Sequence, residues 1–369
     1  MMRIAIDANP MFLNRAGIGN YTYHLVRQLV RIDQENEYYL YNTATKEHEL
    51  NDLRLGGNAR VICFPRVLSP WKARKDRIDI YHGVNYQLWA QGNAGSVVTV
   101  HDLALNIFPE FSKRLLGEQW SRYKALRTFH RATRVIAISQ NTANDIHKYY
   151  QIPPEKIRII YNGGGEEFFS APLPDSLKSV RARYAIPPGD YILYVGGSDL
   201  RKNLESLLKA FSMLLRKIQQ ITLVATGGMG RKAKEIYQSI SNLGLERNIV
   251  ITGHVSDQDL RQLYAGTRLF VYPSLYEGFG IPILEAMSSG VPVIASNTSS
   301  IPEVAGDAAY LIDPYNIGAL ADAMEKVLQD DNLARSLQAK GLQRAKAFSW
   351  ERTARQTIEV YEDVYRQRK

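Results

Sequence analysis

The sequence of 369 residues has little cysteine, no long apolar run and fewer acidic than basic residues. Its single cysteine, Cys63, excludes an internal disulfide and a cysteine-based zinc site, so we expect a reducing compartment. No apolar run approaches the roughly 18 residues that cross a bilayer. The start of the chain reaches Asp7 without a long apolar signal region. These absences together predict a cytoplasmic protein that is not exported.

Internal repeats and low-complexity tracts are also absent, while the composition is 45% hydrophobic and 22% charged. These values exclude disordered, collagen-like and coiled-coil classes and indicate an ordinary globular protein. The length predicts two domains, at about 150 residues each. The net charge of +9 favours anionic partners, which include nucleotides, nucleic acid and acidic membrane. Charge alone does not choose among them.

Short, wholly apolar runs alternate with longer helical patterns, as strands buried on both faces of a parallel sheet require. The predicted strands are Arg3–Ala8, Ser96–Val100, Arg134–Ile138, Lys156–Ile160, Tyr191–Val195, Ile221–Ala225, Asn248–Thr252, Leu269–Tyr272, Val291–Ala295 and Ala309–Ile312. The predicted helices include Tyr21–Val30, Asn203–Gln219, Ile317–Leu328, Leu333–Ala347 and Trp350–Arg368. This alternation predicts an α/β protein with doubly wound parallel sheets.

A proline-rich segment, Ser170–Asp190, is the predicted linker between two α/β domains of similar size. The first domain comprises residues 1–170 and the second comprises residues 171–350.

The strongest local motif runs from Pro273 to Glu285, directly after a predicted strand and into a predicted helix. Its glycines, Gly278 and Gly280, let backbone amides approach a ligand, and amides at a helix N-terminus bind phosphate. Glu277 and Glu285 bracket this loop, and carboxylates accept hydrogen bonds from hydroxyl groups. The motif therefore predicts a site for a phosphorylated polyol, although a glycine-rich turn before a helix would look similar.

A second strand-to-helix loop, Gly196–Asn203, carries the adjacent cations Arg201 and Lys202. Arginine binds phosphate as a fork and lysine as a point charge, so the pair suits a diphosphate. A solvated basic pair on a capping loop is the alternative. Both loops follow strands of one predicted sheet, at the edge where open α/β sheets bind ligands.

Other motifs are weaker. Gly17 and Gly19 lack the third glycine and the tight turn of a dinucleotide fingerprint, and they are interpreted as a flexible glycine loop. His101 follows a strand and suits either ligand contact or a structural hydrogen bond. Asp257 and Asp259 resemble a metal-binding pair, but Ser256 gives capping-box spacing, so we expect no metal site.

Two basic stretches lie in the first half of the chain. One is Lys113–Arg134, which interleaves seven basic residues with Tyr123, Leu126 and Phe129, and the other is Trp71–Arg77. A solvated amphipathic helix face explains them, and so does peripheral contact with anionic lipid. Nucleic acid is disfavoured because no recognisable binding module accompanies the charge.

The spacing of Glu277 and Glu285 resembles the E-x7-E signature of retaining glycosyltransferases of family four, which have the two-domain GT-B fold. The resemblance covers most of the chain. Its other motifs are Gly17–Gly19, Val100–Leu103, Ile136–Ser139, Tyr161–Gly163, Val195–Gly197, Arg201–Asn203, Gly253–Val255 and Glu285–Val293.

The resemblance implies two Rossmann-like domains facing across a cleft, with a nucleotide-sugar donor on the second. It also implies that the last predicted helix, Trp350–Arg368, returns to the first domain, which would then include residues 351–369. Glu285 would bond the ribose and Glu277 the transferred sugar, while Arg201 and Lys202 face the diphosphate. His101 would touch the sugar from the first domain. The remaining implied donor contacts are Gly17, Gly19, Gly197, Val255, Gly278, Phe279, Gly280 and Ile281.

The implied activity is metal-independent transfer of a hexose, mannose from GDP-mannose, to a glycan or lipid-linked acceptor in surface polysaccharide synthesis. The donor is a substrate, and no cofactor is expected. A UDP-glucose or other UDP-sugar transferase of the same fold is the alternative enzyme. A nucleotide-sugar binding protein without turnover is the alternative of another class. The sequence leaves the acceptor, the linkage and the oligomeric state open.

Overall fold

The computed structural model describes residues 1–13, 17–43, 56–89, 92–108, 115–169 and 174–368. The chain divides into two compact units, of which the first joins Met1–Gly163 with Ser349–Lys369 and the second is Gly164–Phe348. Each unit is built on one parallel sheet. Among the described residues, no helix has both the length and the apolar character needed to cross a membrane.

Within the described part of the first unit, seven parallel strands form one sheet in the order β3-β2-β1-β4-β5-β6-β7. The strands are β1 Arg3–Asp7, β2 Glu37–Asn42, β3 Ala59–Cys63, β4 Ile80–Gly83, β5 Gly95–Val100, β6 Arg134–Ala137 and β7 Ile157–Ile159. The helices are α1 Asn9–Leu13, α2 Ile18–Ile32, α3 Ser69–Lys75, α4 Ala104–Ile107, α5 Leu115–Arg131, α6 Gln140–Tyr150 and, from the end of the chain, α15 Trp350–Arg366. The strand order reverses between β1 and β4, which is the doubly wound arrangement expected for right-handed crossovers.

Three strands of this sheet, β2, β3 and β4, are absent from the sequence prediction. β2 carries three tyrosines and a terminal asparagine, so it lacks an aliphatic run. β3 is an edge strand and only partly buried, and β4 is four residues long and contains the buried His82. Neither a half-exposed edge nor a four-residue segment gives the apolar run from which buried strands are predicted.

Helix α15 packs on α2 and β5 of the first unit. The Tyr361 hydroxyl is hydrogen bonded to Nδ1 of His82 at 2.6 Å, and the Thr353 hydroxyl donates to the Tyr161 carbonyl oxygen at 2.8 Å. At the start of the helix, the Trp350 ring stacks on His24 with ring centroids 5.1 Å apart. The last helix therefore belongs to the core of the unit in which the chain begins.

The described residues of the second unit form a sheet of six parallel strands in the order β10-β9-β8-β11-β12-β13. The strands are β8 Tyr191–Val195, β9 Thr222–Thr226, β10 Ile249–Gly253, β11 Leu269–Tyr272, β12 Val293–Ser296 and β13 Tyr310–Ile312. The helices are α7 Pro174–Arg183, α8 Leu204–Leu214, α9 Ala233–Asn242, α10 Asp257–Gly266, α11 Ile281–Ser288, α12 Ile301–Ala305, α13 Ile317–Gln329 and α14 Asp331–Ala345. The strand order reverses between β8 and β11, and this reversal locates the site described next.

The segment predicted as a linker contains a helix, α7, so that prediction is wrong for its central part. Pro174 occupies the first position of α7, where proline lacks an N–H that the helix does not need. The helix packs on α10, and the Arg183 guanidinium holds the Asp259 carboxylate at 2.6 Å. One of the prolines in this segment, Pro174, therefore marks the start of a helix and not a connection between domains.

Candidate functional site

The loops that follow β8 and β11 meet at the reversal point of the second sheet. The two strands are parallel neighbours, so their carboxyl ends lie side by side. The Leu275 N–H donates to the Arg201 carbonyl oxygen at 2.7 Å, and the Asn203 side chain donates to the Pro273 carbonyl oxygen at 3.1 Å. Open α/β sheets bind ligands at this kind of edge.

Lys202 and Glu277, predicted separately from the two loops, form one cluster with Tyr272. The Lys202 ammonium donates to Oε1 of Glu277 at 2.7 Å and to the Tyr272 hydroxyl at 2.6 Å. An ammonium has three N–H donors, so these two bonds leave one for another acceptor. Burial and the neighbouring Glu277 raise the pKa of Tyr272 well above 10, so it stays a neutral hydroxyl.

The backbone around Glu277 is held by two serines that follow β12. The Glu277 N–H donates to the Ser299 hydroxyl at 3.0 Å, and the Ser300 hydroxyl lies 2.9 Å from the Glu277 carbonyl oxygen and 3.0 Å from that of Phe279. Glu277 is only 8% exposed. Its carboxylate is therefore fixed in orientation and paired, as a buried charge must be.

Helix α11 starts at Ile281, directly after this loop. Gly280 precedes it in a left-handed conformation with φ of 106°, and no side chain caps its first amides. Gly278, Phe279 and Gly280 are buried. The helix start therefore presents backbone amides and a positive dipole end beside the Lys202–Glu277 pair, a combination that suits an anion.

Arg201 is held differently from its neighbour. Its guanidinium pairs with Asp199 at 3.0 Å, and the Asp199 carboxylate also accepts the Arg201 backbone N–H. Gly197 has a φ of 61°, and a Cβ there would collide with the Gly228 carbonyl oxygen. The loop after β8 is thus packed tightly against the loop after β9, and only glycine fits at position 197.

Glu285 lies in the first turns of α11 and accepts a hydrogen bond from the Tyr264 hydroxyl at 3.0 Å. Burial raises the pKa of Glu285 to about 7 from an ordinary 4.5. The Tyr264 hydrogen bond opposes this rise, and the carboxylates of Asp257 and Glu167 add to it. The carboxyl is therefore close to half protonated at neutral pH before any ligand binds.

His101 lies at the end of β5 in the first unit and is 8% exposed. Its Nε2 is 2.8 Å from the Val84 carbonyl oxygen, which only accepts, so Nε2 carries the proton. Burial lowers the pKa of His101, and the ring is neutral at pH 7. Nδ1 therefore keeps a lone pair, and no hydrogen-bond partner for it occurs within the described ranges.

A buried network lies behind His101. His82 is fully buried and hydrogen bonded through Nε2 to the Thr99 hydroxyl at 2.8 Å, and Thr99 is 3.1 Å from the Tyr21 hydroxyl. The Tyr21 ring meets His101 edge to face at 4.7 Å. Burial lowers the pKa of His82 to about 3, with a further contribution from His101. This network connects the last helix to the His101 ring.

The other predicted residues occupy loop ends. Gly17 precedes α2 with a φ of 53°, and Gly19 is buried in the first turn of α2. Val255 is buried in the loop between β10 and α10. The capping interpretation of the Asp257–Asp259 segment is confirmed, because Ser256 accepts the Asp259 N–H at 3.1 Å. Within the described ranges, no group of three His, Cys, Asp or Glu residues suits a metal ion.

Sequence reasoning missed Tyr272, Tyr264, Asp199 and the serines at 299 and 300. Tyr272 and Tyr264 lie in an apolar strand and a helix, where an aromatic residue is ordinarily read as core. A tyrosine directly before a charged loop was the available signal, since a buried hydroxyl needs a polar partner.

Two family models match the chain. Residues 179–344 match the model described as glycosyl transferases group 1, and residues 15–163 match glycosyltransferase family 4. The chain is 31% identical to the O-antigen chain mannosyltransferase B of Escherichia coli over 98% of this chain and 99% of that protein. It is 34% identical to the serotype-specific mannosyltransferase WbdA of Escherichia coli over 72% of this chain and 33% of that longer protein.

Solved structures give the same picture of the fold. A glycosyltransferase from Rickettsia africae superposes with a TM-score of 0.79 at 19% identity, over 98% of each chain. Anabaena HepE, solved in complex with UDP-glucose, also has a TM-score of 0.79 at 19% identity, over 98% of this chain and all of that one. At these identities the likeness shows a shared fold over nearly the whole length.

Proposed function

This chain belongs to glycosyltransferase family 4 and has the GT-B fold, and from that premise we propose that it transfers mannose from GDP-mannose, with retention, to a glycan or lipid-linked acceptor in surface polysaccharide synthesis. The observation that carries the proposal is the near-complete match to the Escherichia coli O-antigen chain mannosyltransferase B. The Lys202–Glu277 cluster beside the start of α11 gives that activity a physical basis.

In the proposed reaction, negative charge grows on the diphosphate as the bond to the sugar opens. The third N–H of Lys202, the amides at the start of α11 and the Arg201 guanidinium would stabilise that charge without a metal ion. Glu277 would accept hydrogen bonds from hydroxyls of the transferred sugar. Retention then follows if the acceptor attacks on the face from which the phosphate departs, with the phosphate assisting removal of the acceptor proton.

We propose that the nucleoside end of the donor lies near Glu285 of α11. We propose that Glu285 accepts hydrogen bonds from the ribose hydroxyls and that residues around Val255 flank the base. For His101 we propose a hydrogen bond from a substrate hydroxyl to Nδ1, since the Val84 carbonyl fixes the proton on Nε2. Gly17 and Gly19 would let backbone approach the diphosphate.

A donor screen tests the proposed substrate. Because a ligand that binds only the folded protein raises its apparent stability, thermal shifts with GDP-, UDP- and ADP-sugars rank the donors without an acceptor. We expect the largest shift with GDP-mannose, followed by slow release of free mannose on long incubation. A larger shift with UDP-glucose supports the alternative enzyme, and binding without any hydrolysis or transfer supports a binding protein.

Substitutions at Lys202 and Glu277 test the site. Removing one partner of a buried ion pair leaves the other charge unpaired and costs about 3–5 kcal/mol, so single variants confound folding with function. The double variant Lys202→Met/Glu277→Gln removes both charges together. We expect it to recover most of the stability lost in Lys202→Met while transfer stays at least 100-fold below that of the unmodified protein.

Exposed Lys209 and Glu205, which form an ion pair one helical turn apart in the same unit, provide the matched control. Their paired replacement, Lys209→Met/Glu205→Gln, should leave both stability and transfer nearly unchanged. Near-normal turnover in a folded Lys202→Met/Glu277→Gln protein would disprove the site assignment.

A further inference from the structure

Helix α3 of the first unit carries an inverted amphipathic pattern. Its small residues, Ser69 and Ala73, are 0% and 3% exposed, whereas Trp71 between them is 57% exposed. Ala73 packs into a core cluster with Tyr39, Tyr41 and Tyr81. A surface helix normally buries its large apolar side chains, whereas α3 buries its small residues and exposes Trp71.

The exposed apolar surface continues into the turn that precedes α3. Val67 is 84% exposed and Leu68 is 45% exposed, in a short helical turn, Arg66–Leu68, that runs directly into α3. Leu68 and Trp71 are three residues apart and therefore lie on the same helical face. Three large apolar side chains within five residues thus form one exposed patch.

Basic side chains border this patch. Arg74, Lys75 and Arg77 are exposed, and the Lys75 ammonium lies 5.0 Å from the centre of the Trp71 ring. Lys72 pairs with Asp76 at 2.7 Å, so one acid offsets one of the four cations. A tryptophan flanked by lysine and arginine is the composition of segments that lie in a membrane interface, with the ring at headgroup depth and the cations at the phosphates.

Helix α5, the other basic stretch, has a different character. Phe129 of α5 is fully buried in the core of the first unit. Among the side chains of α5 that the structure describes, Lys124, Arg127 and Arg131 are exposed. Lys113 and Arg114 lie outside the described residues. The part of α5 whose side chains are described is therefore an ordinary solvated helix, with Tyr123 as its exposed aromatic residue.

We propose that residues 66–77, named here the α3 patch, dock the protein onto an anionic phospholipid bilayer, with Val67, Leu68 and Trp71 entering the interface and Arg74 and Lys75 contacting lipid phosphates. An enzyme with a lipid-linked acceptor must reach the membrane, and the α3 patch would make that contact. In this respect the inference rests on the proposed function. Its charge excludes a neutral bilayer as the main target, because each cation near an anionic surface contributes about fivefold in binding.

Vesicle binding by the full chain tests this proposal without any turnover. We expect the protein to co-sediment with vesicles of phosphatidylcholine and phosphatidylglycerol, to bind pure phosphatidylcholine weakly, and to release as salt rises. Val67→Ser/Trp71→Ser should lower binding to anionic vesicles at least tenfold. Arg74→Gln/Lys75→Gln should lower it about 25-fold at low salt and much less at high salt.

The control is Tyr237→Ser/Tyr315→Ser, which removes two exposed aromatic residues, 54% and 64% exposed, from the second unit. This variant should bind vesicles like the unmodified protein. Donor-induced thermal shifts should be the same in all variants, so a failure of the docking proposal is distinguishable from a failure of the donor proposal. Unchanged vesicle binding in both α3-patch variants would overturn the proposal, as would a change in oligomeric mass in place of lipid binding.

Discussion

Replacing Glu285 by glutamine should stabilise the protein while weakening its hold on the donor. Burial raises the pKa of this carboxyl to about 7 from 4.5. At about 1.4 kcal/mol for each pH unit, keeping it ionised costs the folded protein about 3 kcal/mol above pH 7. A glutamine amide accepts the Tyr264 hydrogen bond without charge, but its N–H groups lose about 1 kcal/mol of solvation. The net expected gain is about 2 kcal/mol.

The sign of the pH dependence follows from proton uptake. A carboxyl with a raised pKa binds more protons in the folded than in the unfolded state, so the wild-type protein loses stability as pH rises from about 4.5 to about 7. The advantage of Glu285→Gln should therefore be largest at pH 8 and nearly vanish at pH 5. For a unit of this size, 2 kcal/mol corresponds to a rise in melting temperature of roughly 4–8 °C.

Calorimetry at pH 8 and pH 5 measures this difference, and Glu205→Gln, which removes an exposed carboxylate from a helix of the same unit, is the control. Binding of GDP-mannose is the second readout. Donor hydroxyls favour the ionised carboxylate, so affinity of the wild-type protein should fall as pH drops below 7, and Glu285→Gln should bind weakly at every pH. A glutamine variant that is less stable than wild type at pH 8, or whose advantage does not depend on pH, would refute the reasoning.

Two further substitutions test the tight packing of the loop after β8 and the buried hydrogen bonds of His82. Gly197→Ala should destabilise the second unit by more than about 2 kcal/mol in urea unfolding, because the backbone is left-handed and the Cβ meets the Gly228 carbonyl; Gly244→Ala, left-handed in open space, should cost only about 1 kcal/mol. An equal loss in the two variants would contradict this account of the loop. His82→Leu should cost the first unit about 1–3 kcal/mol, because it leaves the Tyr361 hydroxyl unpaired and removes one of the two partners of the Thr99 hydroxyl. It should also remove part of the acid sensitivity, because unfolded His82 takes up a proton below about pH 6.5 whereas burial lowers the pKa of folded His82 to about 3. Acid unfolding curves of the wild type and His82→Leu that stay parallel would show that His82 does not titrate in this way.

The sheet of the second unit was predictable because its strands are mostly apolar and end in charged or glycine-rich loops. The same logic placed Lys202 and Glu277 near each other, since both follow neighbouring strands. It could not find the Tyr272 hydroxyl between them, nor the pairing of Arg201 with Asp199, because side-chain partners depend on packing and not on sequence spacing. Residues 71–77 were recognised as basic, but only the burial of Ser69 and Ala73 shows which way Trp71 faces.

The return of α15 to the first unit fixes an order of assembly during translation. About 185 residues separate Gly163 from Ser349, so at ordinary elongation rates the ribosome needs roughly 10–40 s to make them. Throughout that interval the nascent first unit lacks Tyr361, so the His82 nitrogen does not yet have the hydroxyl to which it is bonded in the folded protein. The second unit is continuous in sequence, so it can complete its core before the first unit, which needs α15. The segment that is synthesised first is therefore the last to complete its fold.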